Sequence, residues 1–304
     1  MNVLPPDIVF FERGWLSSNN VLLIDASQAV LVDTGYHLHS QQTASLLSNS
    51  LSGRALTAIF NTHLHSDHCG GNAHLQSLYR NVEVRIPPGH ANLVDAWDED
   101  GLTYRVTGQH CPKFTRSGLL KHGDALQVAG KTWTVHSAPG HDPHSVVLFN
   151  EEDRVLISAD ALWENGFGVV FPEIEGIHAF EEVEATLQMI EELDVKTILP
   201  GHGGMFSDVS SALVRARSRL SQFRTAPDQH ASYAAKVLIK FKLLEFQSVS
   251  TFDLLKWAES VPYLALLHRT YGSGFSFDLW FERLCASLEK SKACIIQDGY
   301  IKNT

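Results

Sequence analysis

The sequence predicts an α/β protein: two stacked β-sheets with helices on the outside, followed by a small helix-rich domain. Three observations carry this expectation. Short apolar runs bounded by turn residues dominate the chain as far as Pro200. Helical patterns fall between those runs without a strict strand–helix–strand repeat, which argues against one doubly wound sheet. After "RTAPDQH" the character changes to helices, so a boundary is expected near Pro227, giving domains 1–226 and 227–304.

Taken in order, "VLLID" and "AVLVD" flank "ASQ" and read as a hairpin. "SQQTASLLSNSL" reads as a helix, "LTAIF" as a strand, "NAHLQSLYR" as a short helix and "VEVRI" as a strand. "DALQVAGKTWTVHSA" holds two strands, and "SVVLFN" and "RVLISAD" continue the pattern. "FEEVEATLQMIEELD" places Phe180, Val183, Leu187, Ile190 and Leu193 close to the 3.6-residue period of an amphipathic helix. "KTILP" is a further strand, and Asp208–Arg224 reads as helix. Four helical stretches follow, "ASYAAKVLIKFKLLEF", "TFDLLKWAES", "YLALLHRTY" and "FDLWFERLCASLEK", before "ACIIQDGYIKN" closes the chain as strand, turn and strand. Helices closed by a hairpin resemble a winged-helix-like module. Residues 228–304 hold nine Lys/Arg and eight Asp/Glu, so no basic stripe marks a nucleic-acid surface. Packing or substrate cover is the expected role of this domain.

The 304 residues are 44% hydrophobic and 19% charged, an ordinary globular composition with enough chain for a large core. The formal charge of −10 gives no long-range attraction to phosphate backbones. Four scattered cysteines, none in a CxxC pair, fit a reducing compartment, so a cytoplasmic location is expected. "MNVLPPDIVFFERGW" lacks a basic leader, and Pro5 and Pro6 interrupt it, so no signal peptide is read. No run approaches the roughly 20 apolar residues that cross a bilayer.

The chemistry concentrates in "NTHLHSDHCGGN", residues 61–72, just beyond a strand. Four other strands end in the same manner: at Asp33 in "VLVDTG", His141 in "APGH", Asp160 in "LISAD" and His202 in "PGHGG". Loops at the ends of adjacent strands converge on one edge of a sheet, where sites are commonly built. His63, His65, His68, His141 and His202 offer imidazoles, and Asp67 and Asp160 offer carboxylates. Seven donors exceed what one catalytic ion takes. They suit two ions about 3.5–4 Å apart with a bridging carboxylate. Alternation puts His63 and His65 on one side, leaving Asp67 and His68 free to turn toward a second position.

"HLHSDH" resembles the HxHxDH signature of the metallo-β-lactamase superfamily, and the four companion motifs follow in that family's order over roughly residues 20–205. The resemblance implies an αβ/βα sandwich. It implies His63, His65 and His141 for a first metal, Asp67, His68 and His202 for a second, and Asp160 as the bridge between them. Asp33 is then expected to orient the ligand loops. The implied cofactors are two divalent ions, zinc first, with iron or manganese as alternatives. A glycine pair, Gly70 and Gly71, is expected to let the loop turn into the next helix.

Other residues carry less. His144 reads as a loop residue near the site, His37 and His39 as solvated, and Cys69 as a small packing residue. Asp124 reads as a turn residue. The segment 90–114, with Trp97 and Tyr104, is either a lid or plain surface packing.

The function expected is hydrolysis of a small ester, thioester or lactone by a dinuclear metal site, with Asp67 and Asp160 as the catalytic carboxylates. The expected partner is a small molecule, with neither nucleic acid nor membrane. Zinc β-lactamases commonly carry cysteine or serine where this chain has Asp160, which disfavours antibiotic hydrolysis. Two alternatives stand: phosphodiester hydrolysis by a nuclease, because a related endoribonuclease group also carries a helix-rich tail, and a mononuclear iron persulfide dioxygenase, which shares HxHxDH.

Overall fold

The structure is a computed structural model that describes residues 4–304. The first three residues of the N-terminal stretch read above for a signal peptide lie outside it. The chain forms two compact units. One holds the chain up to Leu102 and Cys111–Ser221; the other holds Thr103–His110 and Gln222–Thr304.

The first unit contains two sheets. In one, β1 (Ile8–Phe11), β2 (Asn20–Ile24), β3 (Gln28–Val32), β4 (Ala55–Phe60), β5 (Glu83–Ile86) and β6 (Gly118–Leu119) lie in that order. Pairing is antiparallel from β1 to β3 and parallel from β3 to β6. The expected hairpin is β2–β3. Its turn is tied by Asp25, whose Oδ1 accepts the N–H groups of Ser27 and Gln28 at 2.8 and 2.9 Å. The second sheet runs β11 (Thr197–Pro200), β10 (Val155–Ala159), β9 (Val146–Asn150), β8 (Lys131–Ser137), β7 (Ala125–Val128). Only its β10–β11 pair is parallel.

Parallel neighbours need a crossover. Between β3 and β4 it is α1 (Ser40–Leu51), and between β4 and β5 lie α2 (Ser66–Cys69) and α3 (Asn72–Leu78). α4 (Ala91–Ala96) follows β5, and α5 (Phe171–Ile174) and α6 (Phe180–Glu192) link β10 to β11 before α7 (Val209–Thr225). α6 buries Phe180, Val183, Leu187 and Ile190, the stripe its periodicity predicts.

The two-residue period of the strands builds the core. Val21, Leu23, Val30, Val32, Ala58 and Phe60 of the first sheet share one cluster with Trp133, Val135, Val146, Leu148, Val155 and Ile157 of the second. The alternate residues Leu22, Leu31, Ile59 and Leu156 are also buried, as expected of sheets covered on both faces. This sandwich fixes the ends of five strands as a rigid rim.

The second unit runs α8 (Pro227–Phe246), β12 (Ser248–Ser250), α9 (Thr251–Ser260), α10 (Pro262–Leu267), a π turn at His268–Gly272, α11 (Phe277–Lys290), β13 (Cys294–Gln297) and β14 (Tyr300–Asn303). The strands form a small antiparallel sheet in the order β12-β14-β13. Proline opens α8 and α10, and the hydroxyl of Ser250 caps α9 by accepting the Asp253 N–H at 3.0 Å. Thr103–His110 joins this unit: the Tyr263 N–H donates to the Val106 carbonyl at 3.0 Å. The segment 90–114 is therefore not one insertion. Tyr104 is buried in the second unit, while Trp97 packs edge-on against Phe114 in the first.

Candidate metal centre

The chemistry gathers at the C-terminal ends of β3, β4, β8, β10 and β11. Asp33 follows β3, His63–His68 follow β4, His141 follows β8 through Pro139 and Gly140, Asp160 follows β10, and His202 follows β11. Two of these exits are conformationally costly. Asp33 (φ 57°) and Ala159 (φ 47°) occupy the left-handed region without being glycine. Such strain persists where surrounding bonds over-determine it. At Asp33 they do: its N–H donates to Phe60 O at 2.9 Å, and its carboxylate accepts the N–H and hydroxyl of Thr62 at 2.9 and 2.8 Å.

Three groups of donors lie close enough to hold a metal ion: His63, His65 and His141; His63, His68 and Asp160; and Asp67, His68 and His202. Within each group the donor atoms stand within 4.8 Å of one another. His63 Nε2 and His65 Nδ1 are 3.1 Å apart, and His202 Nε2 is 3.1 Å from Asp67 Oδ2. Asp160 lies between the outer groups. Its Oδ2 is 3.4 Å from His141 Nε2 and 3.8 Å from His202 Nε2, and its Oδ1 is 3.4 Å from His68 Nε2. All seven residues expected from the sequence thus meet in one place.

Two imidazoles are aimed. His68 Nδ1 is 2.7 Å from Asp33 Oδ2, and His141 Nδ1 is 2.6 Å from the Val169 carbonyl. Each partner accepts a proton on Nδ1, which turns Nε2 inward. Both Nε2 atoms are buried without a hydrogen-bond partner. A buried nitrogen without a partner is costly. A cation that takes the place of any proton on Nε2 supplies that partner, so these residues fit a metal centre.

The electrostatics agree. Burial, then the charges of His68, His65 and His141, hold the His63 imidazole well below its ordinary range. Burial and His141 bring His65 down to about 4. Both rings are neutral near pH 7, the form that binds metal. Burial alone would raise the Asp160 carboxyl, but His68, His202 and His141 outweigh it and hold it well below the carboxylate range. His68 goes the other way: burial lowers it, and Asp160, Asp33 and Asp67 together raise it well above the ordinary value.

The glycine pair sits between α2 and α3, where the loop passes into the next helix as expected. Gly70 and Gly71 hold ordinary right-handed backbone. What they supply is close approach: a Cβ on Gly71 would stand 2.6 Å from Thr34 O, and one on Gly70 would stand 2.6 Å from His37 N. The loop beyond β4 is pressed against the loop beyond β3, where Thr34 N–H donates to His68 O at 2.7 Å.

The neighbours of the set behave as follows. His144 is exposed and lies edge-on to His90, 4.6 Å between ring centroids. His39 Nδ1 pairs with Ser17 Oγ at 2.8 Å, and Cys69 is buried with its thiol against the His65 carbonyl. Three residues near the set escape sequence reasoning. Trp15 stacks on His202 at 5.2 Å and 4°. Trp163 donates its indole N–H to Asp160 Oδ1 at 3.1 Å. Asp142 is buried with Oδ2 4.0 Å from both His65 Nε2 and His90 Nδ1. Trp163 lies three residues beyond Asp160, a spacing that carries no metal signature.

The family model described as the metallo-beta-lactamase superfamily matches residues 13–202. The chain belongs to the metallo-β-lactamase superfamily. Acyl-coenzyme A thioesterase MBLAC2 from Gallus gallus is 27% identical over 213 residues, 65% of this chain and 76% of its own length. Hydroxyacylglutathione hydrolase from a Synechococcus species is 32% identical over 187 residues, 59% of each chain. The match to another hydroxyacylglutathione hydrolase, from Crocosphaera subtropica, spans only 49% of that protein at 31% identity. These relatives carry the names of hydrolases. A metallo-beta-lactamase family protein from Thermus thermophilus shares the fold over 99% of this chain and 100% of its own, at TM-score 0.57 and 20% identity. TTHA1623, solved in a di-iron-bound form, matches at TM-score 0.55 and 24% identity over 68% of this chain and 98% of that one. Among the described residues, no helix is long and apolar enough to cross a membrane.

Proposed function

We propose that the chain is a dinuclear metal-dependent hydrolase acting on a small thioester. His63, His65 and His141 would hold one ion, Asp67, His68 and His202 the other, with Asp160 shared. The observation that carries this is the position of Asp160 Oδ2, flanked by His141 from one donor group and His202 from the other. Zinc is the first choice on the donor set, and iron or manganese suits it as well. When bound, such a pair of ions acidifies a water and polarises a carbonyl oxygen.

The chain's own residues do the rest. Asp33 and the Val169 carbonyl keep His68 and His141 in one tautomer. Asp67, part-exposed and hydrogen-bonded to His202, is held ionised by His68 and His202 against burial; it is the carboxylate placed to take the proton that the attacking water loses and to return it to the departing thiolate. Asp160, buried and strongly acidic, stays ionised and serves as an anchor.

Thioesters lead among the substrates because the three named relatives, one acyl-coenzyme A thioesterase and two hydroxyacylglutathione hydrolases, are named for cleaving thioesters. The helix–strand–helix order of the second unit, closed by β13 and β14, supports a winged-helix-like reading of it. The formal charge of only +1 over residues 228–304, nine Lys/Arg against eight Asp/Glu, supports a packing or cover role over nucleic-acid binding. The test is a panel of acyl thioesters, lactones, esters and phosphodiesters offered to the zinc-loaded protein and to Asp160→Ala. Thioester turnover lost in the variant is expected. Phosphodiester cleavage without thioester cleavage would replace this reading with the nuclease.

A further inference from the structure

We infer that Trp163 is a positioning residue for Asp160, fixing which carboxylate oxygen is turned toward His141 and His202, the residues that would hold the two ions. This rests on the dinuclear reading above. The two oxygens of Asp160 have different surroundings. Oδ2 faces His141 at 3.4 Å and His202 at 3.8 Å, one from each outer donor group. Oδ1 accepts the Trp163 indole N–H at 3.1 Å and lies 3.4 Å from His68 Nε2. An indole nitrogen can only donate. It therefore holds the carboxylate turned, with Oδ2 left toward His141 and His202.

The indole is itself held. The backbone N–H of Trp163 donates to Gly166 O at 2.6 Å, closing a tight turn at 163–166. That turn is clasped from α7, where Arg215 donates to the Glu164 carbonyl at 2.7 Å and Arg219 to the Phe167 carbonyl at 3.4 Å. The ring stands edge-on to Trp15 at 5.4 Å and to His202 at 5.4 Å. A donor so fixed cannot follow Asp160 if the carboxylate rotates. Residues that orient a ligating carboxylate commonly alter metal affinity about 10- to 100-fold when replaced.

The test is zinc titration of the chelator-stripped protein by calorimetry, with Trp163→Phe beside the wild type. The wild type takes two ions. Trp163→Phe takes the first with little change and the second about 10- to 100-fold more weakly. Its kcat falls while KM holds, because the lost donor touches the metal anchor rather than the substrate. Trp97→Phe, whose ring packs against Phe114 and touches none of the seven donors, retains both zinc affinities. A Trp163→Phe protein that binds both ions as the wild type does overturns the inference and leaves the dinuclear reading standing. A wild type that binds one ion overturns both. Should the Phe variant lose its fold, 15N-labelled indole signals of the wild type carry the test. One slowly exchanging indole must shift as the second zinc equivalent binds; no such shift overturns the inference.

Discussion

His68 Nδ1 lies 2.7 Å from Asp33 Oδ2, although Asp33 belongs to none of the three donor groups. The same carboxylate takes both donors of Thr62, the residue just ahead of His63. One side chain from β3 thus orients a ring and the start of the loop beyond β4. Asp33→Asn keeps the size but brings in an amide that must donate toward either His68 or Thr62. Zinc affinity is expected to fall about 10- to 100-fold, measured by competition with a chromophoric chelator. An unchanged affinity would remove Asp33 from the account.

Gly201 sets a second, steric condition. A Cβ there would stand 2.1 Å from Asp160 Oδ1 and 3.0 Å from His68 Cε1. Gly201→Ala must displace the carboxylate. The expected outcome is a folded protein by circular dichroism with less than two ions by elemental analysis and thioester turnover reduced at least about tenfold, the scale on which disturbed ligand support acts.

Binding should release protons. Asp160, Asp33 and Asp67 overcome burial and hold His68 protonated above its ordinary range in the metal-free protein. A ligating imidazole must give that proton up. Zinc affinity therefore rises with pH through neutrality and levels once pH exceeds the raised value for His68. Calorimetry at pH 7 in buffers of different ionisation enthalpy reads the released proton directly. Enthalpies that do not depend on the buffer would contradict the electrostatics described.

The second unit carries its own titration. His230 on α8 is 2% exposed, and burial lowers it to about 4. The folded form binds the proton less readily than the unfolded chain, whose imidazole titrates near about 6.5. Its contribution is complete above about pH 6.5 and is lost as pH falls toward 4, about 3 kcal/mol in all. Urea unfolding of the metal-free protein at pH 7 and pH 5 should show the loss. In His230→Leu the drop between those pH values should be smaller by about 2 kcal/mol.

Much of the fold is legible because its signals are local. Period-two runs such as "VLLID" and "TWTVHSA" meet the sandwich core on one face, and α6 buries the stripe its spacing predicts. The seven metal-binding candidates are legible because each sits just past a strand. What stays hidden depends on contacts between distant segments. Gly70 and Gly71 look like turn residues, yet their need for no Cβ comes from Thr34 and His37 on a neighbouring loop. Thr103–His110 belongs with α10 through a backbone bond no periodicity announces. Trp15 and Trp163 converge on His202 from segments far apart in sequence, and an aromatic residue in a loop carries no mark of its partner.

The proposed pair of ions acting together on a thioester is read out by adding zinc stepwise to chelator-stripped protein while following acyl thioester hydrolysis, with bound metal counted at each step. Turnover should climb until two zinc ions are bound per chain and then level, and Asp160→Ala should abolish it. Full turnover at one ion per chain, or thioester hydrolysis that persists in the metal-free protein, would contradict the proposal.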